Sequence, residues 1–233
     1  MGRKDIVRNF LKNKILTPVI IGALAFIFGT SETCAKTKKY EVTDLTKFYK
    51  DKGLDSTSIS YKIFEGKNVV NSEVDSDDNW QKLDFYITAM HKKSCTKVMR
   101  RLSQYEDYSK FIGPIKKSSY NDDTKYVNFR IDAMVLPKPL TMNFKIPRIR
   151  KPGKYLFVFE KGFLKNLKGN VELYEMSGCL NNRRPCVENA CLFWIKANWK
   201  GEPTGFNDTI IRLFTETVSS IALDSLFHVV PNT

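Results

Sequence analysis

Alternating apolar and polar residues predict several β-strands along this chain. Residues 80–90 have a period of two, with Leu83, Phe85 and Ile87 on one side and polar residues such as Lys82 on the other. This period is typical of a half-buried strand. Similar strand patterns, separated by turns rich in Asn, Asp, Gly and Pro, occupy residues 115–120, 125–136, 140–146, 155–159, 171–176 and 187–199. The short turns between them favour antiparallel pairing.

Helical spacing follows the first of these strands and returns at the end of the chain. Ser94 is a favourable N-cap for a helix that carries Val98 and Leu102, and residues 105–112 predict a second short helix. Residues 208–227 predict a long amphipathic helix of about 30 Å. Its apolar stripe consists of Ile210, Ile211, Phe214, Val218, Ile221, Ala222 and Leu226. Its other stripe consists of Arg212, Thr215, Glu216 and Ser219.

The region before residue 80 gives a more mixed pattern. Residues 44–49 predict a short helix that is followed by Gly53, and residues 58–64 alternate like a strand. Val69 begins a return strand, and the acidic residues 71–79 are expected to form a loop. From residue 80 onwards, the predicted order is strand, two short helices, six antiparallel strands and one long helix. This order predicts an α+β fold with the last helix laid across a curved sheet of about seven strands.

The N-terminus has the composition of an export signal. Residues 1–14 carry five basic residues and one acid, and the uncharged run Ile15–Phe28 follows. This run has the length of a signal-peptide core, and Thr33 and Ala35 are small residues suited to cleavage before Lys36. An uncleaved membrane anchor is the alternative, and lipid attachment at the nearby cysteine is less favoured. We therefore divide the chain into a signal peptide at 1–35, an extension at 36–79 and a main domain at 80–230.

The basic charge belongs mainly to the predicted domain rather than to the signal. The whole chain carries a net charge of +13, and it keeps +10 without residues 1–35. Such a balance favours anionic partners. The basic residues around one proline-rich turn are candidates for contact with an anionic membrane, although a purely solvating role is the alternative. They are Arg148, Arg150, Lys151 and Lys154. An export signal and the lack of a reader motif argue against nucleic acid.

Cysteine and histidine positions favour disulfides over a metal site. Cys179 and Cys186 flank a turn-like stretch, which would bring their thiols together in an oxidising compartment. Cys95 and Cys191 could form a second pair or remain buried thiols. The spacings do not match a metal motif, and His91 lies far from the other histidine in the sequence, so no metal or cofactor is expected. His91, beside two lysines, is expected to be solvated.

The order of elements resembles the helix-grip fold of START-like (SRPBCC) proteins, including polyketide cyclases and coenzyme Q-binding proteins. The segments that carry this resemblance are residues 97–102, 104–112, 163–169 and 197–201. It covers about residues 80–227 and implies an apolar cavity between the sheet and the last helix. Members of this family hold a lipid, sterol, quinone or polyketide in that cavity, and some are cyclases.

The resemblance implies a hydrophobic small molecule or lipid as the partner, and strand alternation and helix spacing indicate which side chains would enclose it. The candidate lining residues are Phe129, Ile131, Phe144, Phe157, Phe193, Ile195, Phe214 and Val218. They could instead pack against one another as a filled core. The leading interpretation is an exported, monomeric domain, periplasmic or secreted, that binds or transfers a hydrophobic ligand. The alternatives are an envelope interaction module with a filled core and, less favoured, a cyclase or hydrolase, for which no catalytic residue is identified.

Overall fold

The structure, a computed structural model, describes residues 40–134, 136–180 and 183–230. The predicted export signal and its cleavage site lie outside these residues. The helices are α1 (Leu45–Asp51), α2 (Ser56–Phe64), α3 (Cys95–Leu102), α4 (Tyr108–Phe111) and α5 (Asp208–His228). A short 3-10 helix at Tyr105–Asp107 leads directly into α4. The strands are β1 (Glu41–Val42), β2 (Val69–Ser76), β3 (Gln81–His91), β4 (Ile115–Asn121), β5 (Tyr126–Ile131), β6 (Leu140–Lys145), β7 (Gly153–Gly162), β8 (Lys168–Leu180) and β9 (Arg183–Gly201).

One curved, unclosed antiparallel sheet organises the described residues. Its strands are hydrogen-bonded in the order β2-β3-β9-β8-β7-β6-β5-β4. The long strand β9 lies between β3 and β8, with Ile195 opposite both Ile87 and Val171. The two-residue strand β1 pairs in parallel with β8 beyond the end of its pairing with β7. The predicted α+β fold is therefore confirmed, with β1 as an added strand and with β2, expected to begin at Val69, continuing to Ser76.

Helix α5 is held along the edge strand β2 by hydrogen bonds that repeat at matched intervals. The bonded pairs are Asn68 Nδ2 to Asp224 Oδ1 at 2.8 Å, Ser72 Oγ to Glu216 Oε1 at 2.8 Å and Ser76 Oγ to Asp208 Oδ2 at 2.9 Å. Four residues of strand span about 13 Å and eight residues of helix about 12 Å, so the two repeats stay in step. The helix and the strand therefore run antiparallel, and the edge of the sheet is covered.

These contacts correct the prediction of an acidic loop at residues 71–79, because β2 extends as far as Ser76. The sequence of β2 lacks apolar alternation because the strand contacts α5 through serine hydroxyl groups. The strand predicted at residues 58–64 is also wrong, since α2 occupies them. Ile59, Ile63 and Phe64 are its buried apolar residues, at helical spacing, whereas Tyr61 is half exposed. Alternation over a few residues thus did not separate a strand from one face of a helix.

A second apolar layer covers the outer face of the sheet. Residues from β1, α1 and α2, including Leu45, Tyr49 and Ile63, pack against Met90 and Trp194 of the sheet. The Tyr49 hydroxyl also lies 2.7 Å from the Thr88 hydroxyl. Part of the sheet is therefore buried on both faces, which explains why β3 ends in a run of buried residues instead of alternating.

The ammonium group of Lys52 fixes the end of α1 to the same outer face. Its Nζ lies 2.8 Å from Glu172 Oε2 and lies over the rings of Phe48 and Trp194 at 5.3 and 5.4 Å from their centroids. Burial alone would raise the pKa of Glu172, but hydrogen bonds from Lys52 and Tyr174 outweigh it and lower the pKa. The charge pair and the cation–π contacts together anchor α1 to the sheet.

Two disulfides join segments at very different separations along the chain. Cys95 of α3 is bonded to the buried Cys191 of β9, 96 residues away. Cys179 and Cys186, the pair predicted from the turn, are bonded across the end of the β8–β9 hairpin, seven residues apart. The first bond resolves the choice left open for Cys95 and Cys191, and it ties a helix at the cavity to the centre of the sheet.

We predict that removing the long-range disulfide destabilises the chain more than removing the hairpin disulfide. Loop-closure entropy rises with loop length, so Cys95→Ala/Cys191→Ala should lose roughly 2 kcal/mol more unfolding free energy than Cys179→Ala/Cys186→Ala. Urea unfolding of both double variants and of the parent chain measures this difference. Equal losses in the two double variants would show that chain entropy does not set the ranking.

Candidate functional site

An apolar cavity of about 280 Å³ lies on the face of the sheet opposite α1 and α2. Its walls come from β3–β9, from α3 and the short helices after it, from residues 146–149 and from α5. On β3, the odd-numbered residues Leu83, Phe85 and Ile87 face the cavity, whereas Tyr86 and Met90 pack with the outer layer. Strand alternation therefore supplies this wall directly.

All eight residues predicted as cavity lining lie on this wall. Six come from the strands: Phe129, Ile131, Phe144, Phe157, Phe193 and Ile195. The other two, Phe214 and Val218, come from α5. The aromatic residues contact one another as well, for example Phe129 with Phe144 at 5.3 Å between ring centroids. These side chains thus pack as core on one side and border free space on the other.

Sequence reasoning missed two polar residues of the wall. Thr215 and Ser219 line the cavity, although the helix pattern placed them on the stripe opposite Phe214 and Val218. Thr215 is 6% exposed, so it belongs to the buried side of α5. Their position one residue after Phe214 and Val218 puts them on an adjoining part of the same face. A helical projection without regard to polarity would have found them.

Two tyrosines also line the cavity, and their hydroxyl groups are engaged elsewhere. The Tyr105 hydroxyl donates to the backbone oxygen of Pro147 at 3.0 Å, and the Tyr108 hydroxyl donates to that of Leu102 at 2.6 Å. Burial raises the pKa of both phenols above its usual range, so both stay protonated. Among the described lining residues there is no Asp, Glu, His, Lys, Arg or Cys. The wall therefore offers a ligand carbon surface and very few polar groups.

Arg148 anchors the segment between β6 and β7, which contributes Ile146 and Ile149 to the cavity wall. Its guanidinium donates to Asp122 Oδ1 and Oδ2, each at 2.9 Å, and to Glu106 Oε1 at 3.1 Å. It also lies over the Tyr120 ring, 4.4 Å from the centroid. The hydrogen bonds to Asp122, followed by those to Glu106, raise the pKa of Arg148 above its usual range. These bonds hold residues 146–149, two of which line the cavity, against neighbouring turns.

The four residues predicted to contact a membrane differ in their surroundings. Arg148 is paired as described, and Lys154 Nζ lies 3.5 Å from Glu172 Oε1. Arg150 and Lys151 are exposed in the loop before β7. The backbone of Lys151 contacts the Tyr155 hydroxyl, which donates to its carbonyl oxygen at 2.7 Å. The charges of Arg150 and Lys151 are therefore the more accessible in this group.

His91 is buried, which corrects the prediction of a solvated side chain. It is 9% exposed, and its Nδ1 accepts a hydrogen bond from the Lys93 backbone N–H at 3.0 Å. Its ring lies edge-to-face on Phe227 of α5, which in turn contacts Phe193 of the cavity wall. Burial lowers the pKa of His91 below its usual range. The sequence shows the two lysines beside it but not the helix end that covers it.

We predict that acidification weakens the fold through His91. Because its folded-state pKa is lowered, its contribution is fully present above the ordinary histidine pKa of about 6.5 and is lost as the pH falls through the folded-state value. His91→Gln should therefore lose less stability than the parent between neutral and mildly acidic pH. Thermal unfolding across that range tests this, with the exposed His228→Gln as control. Equal losses in the parent and His91→Gln would contradict the assignment.

Comparison with known proteins finds similarity to solved structures but none at the level of sequence. No family model matches the sequence, and no curated protein matches it. Solved structures with similar architecture include a START superfamily protein from Mycobacterium smegmatis (8% identity, TM-score 0.47, covering 63% of this chain and 96% of that one). Another is the ZhuI aromatase/cyclase from Streptomyces sp. R1128 (10% identity, TM-score 0.48, covering 63% and 92%). A third is Ara h 8.0201 (10% identity, TM-score 0.47, covering 64% and 97%).

The topology of the chain defines its class. From β3 onwards the order is strand, two short helices, six antiparallel strands and one long helix. This is an α+β, helix-grip-like arrangement. Among the described residues, no helix has the length and apolar character needed to cross a membrane. The fold, together with the cavity it contains, is the basis for the functional proposal.

Proposed function

We propose that this chain binds a hydrophobic small molecule in the cavity between the sheet and α5. The observation that carries the proposal is a partly open cavity of about 280 Å³ bounded almost wholly by aliphatic and aromatic side chains. Water gains few hydrogen bonds there, whereas each buried methylene of a ligand contributes about 0.8 kcal/mol. A ligand with ten such groups gains about 8 kcal/mol before the cost of association.

The lining suits each of the expected ligand classes. An acyl chain, a sterol or a quinone-like or polyketide-like ring system would place its carbon atoms against the aliphatic and aromatic walls. Because the cavity is partly open, a longer ligand can extend out of it.

The cavity favours ligand binding over the two alternative functions. An interaction module with a filled core would have its apolar side chains in mutual contact without a space of this size. A cyclase or hydrolase needs positioned acid and base groups. The described lining supplies only engaged tyrosine hydroxyls and the hydroxyls of Thr215 and Ser219.

We further propose that the domain works outside the reducing cytosol. Two disulfides support an oxidising compartment, because such bonds persist mainly in exported proteins. The apolar segment at 15–28 fits this location as a cleaved signal or as an anchor. Contact with an anionic membrane surface belongs to the same proposal, with Arg150 and Lys151 as its most accessible charges. We propose a monomer as the working form.

Filling the cavity should weaken binding. Ala222 lines the cavity, whereas the adjacent Ile221 is 40% exposed on the outer side of α5. Ala222→Phe should therefore weaken the affinity for the fluorescent probe N-phenylnaphthylamine at least tenfold, while Ile221→Phe adds a ring of similar size outside the cavity and leaves it unchanged. Fluorescence titration measures both affinities, and thermal unfolding confirms that both variants are folded.

Native mass spectrometry of the chain purified from its exported compartment provides an independent test. The proposal predicts a co-purifying hydrophobic molecule in the parent and the Ile221→Phe variant, and its loss from Ala222→Phe. A parent chain that neither retains a ligand nor binds the probe would overturn the proposal. Equal probe binding by both phenylalanine variants would place the probe outside the cavity and would overturn it as well.

A further inference from the structure

The cavity wall contains one pair of hydroxyl groups that are free of protein partners. Thr215 and Ser219 lie one helical turn apart on α5, a spacing that puts their side chains on the same face. In the described part of the chain, no hydrogen bond joins either side-chain hydroxyl to another group, in contrast to the Tyr105 and Tyr108 hydroxyls. Buried hydroxyl groups normally have partners, so the buried Thr215 hydroxyl requires an explanation, and the partly buried Ser219 hydroxyl lies beside it.

The Thr215 oxygen also remains in contact with free space. Within residues 40–134, 136–180 and 183–230, the side-chain polar atoms that lack both a partner and any exposed surface are Arg101 Nε and Asn143 Oδ1. The Thr215 hydroxyl lacks a partner but is not one of these, so part of its surface is accessible. Thr215 is 6% exposed and is one of the residues that line the cavity.

The charge of the wall restricts what these hydroxyls can bind. A carboxylate or phosphate enclosed here would lose its hydration without meeting a cation, because the described lining contains no Lys, Arg or His. An ammonium group would lack an anion in the same way. A neutral carbonyl or hydroxyl group loses much less hydration, and each of the two protein hydroxyls can donate to it or accept from it.

We infer that the natural ligand is a neutral, mainly hydrocarbon molecule whose polar group, a carbonyl or a hydroxyl, is bound by Thr215 and Ser219. This inference rests on the proposed function and adds the charge and the orientation of the ligand. The polar end lies against the middle of α5, and the hydrocarbon part extends towards the aromatic residues of the sheet. A charged carboxylate or phosphate group is thereby excluded from contact with these two hydroxyls inside the cavity.

Three probes of similar size test separately whether the ligand is neutral and whether its polar group binds the two hydroxyls. They are naphthalene, naphthol and naphthoate at neutral pH, where only naphthoate is charged. The full chain should bind naphthalene and naphthol with comparable affinity and naphthoate at least tenfold more weakly. Thr215→Val/Ser219→Ala removes both hydroxyls with little change in volume. It should weaken naphthol binding about tenfold relative to naphthalene, because a buried ligand hydroxyl then has no partner.

Two control variants show whether the effect belongs to these hydroxyls. Thr217→Val makes the same chemical change on α5 at a residue outside the cavity wall and should leave the ratio of naphthol to naphthalene affinity unchanged. Thr215→Ser keeps a hydroxyl and should keep the parent ratio. Isothermal titration calorimetry measures all the affinities, and thermal unfolding checks that each variant is folded.

The outcomes distinguish this inference from the function on which it rests. If none of the probes binds the parent chain, the proposed function itself fails. If naphthalene binds but the double variant leaves the naphthol ratio unchanged, ligand binding stands and the hydroxyl assignment is overturned. Binding of naphthoate as tight as that of naphthol would overturn the conclusion that the ligand is neutral.

Discussion

The hydrogen bonds between β2 and α5 are the constraint on which the cavity depends. They attach the last helix to an edge of the sheet through side chains such as Ser72 and Glu216, so apolar contact does not draw the helix flat onto the middle of the sheet. One face of α5 turns to β2, and the next turns to the interior with Phe214 and Val218. The strands far from β2 therefore keep aromatic side chains that border free space instead of a helix. A polar contact at the edge thus maintains an apolar space at the centre.

The outer layer offsets the packing energy that the chain loses at the cavity. A sheet whose inner face encloses a cavity buries less apolar surface there, and each missing contact costs packing energy. The helices α1 and α2 add a second core on the other face, where Tyr49 and Trp194 are buried. The Cys95–Cys191 bond adds a covalent tie between α3 and the central strand β9. The residues before β3 therefore have two roles: α1 and α2 cover the outer face of the sheet, and β2 binds α5.

The candidate site was predictable where side-chain direction follows from local geometry. Phe129, Phe144 and Phe193 alternate with polar or outward residues, so their common face could be inferred before any contact was known. The polarity of Thr215 suggested the polar stripe of α5, whereas its burial follows from its angular position on the helix. The prediction for His91 failed for a different reason. Its neighbours in sequence are lysines, but its neighbours in space are Phe227 and the strands around it.

By itself, the sequence determined the local elements: most strands, the long helix and the disulfide across a single hairpin. Each of these depends on residues close together in the chain, so periodicity and turn chemistry report them directly. Only the tertiary structure decided the pairing of Cys95 with Cys191, the docking of α5 on β2 and the role of α2. These contacts join residues far apart in sequence. The cavity belongs to the same group, because alternation shows which side chains face inward, whereas the distance between layers decides whether they meet or leave a space.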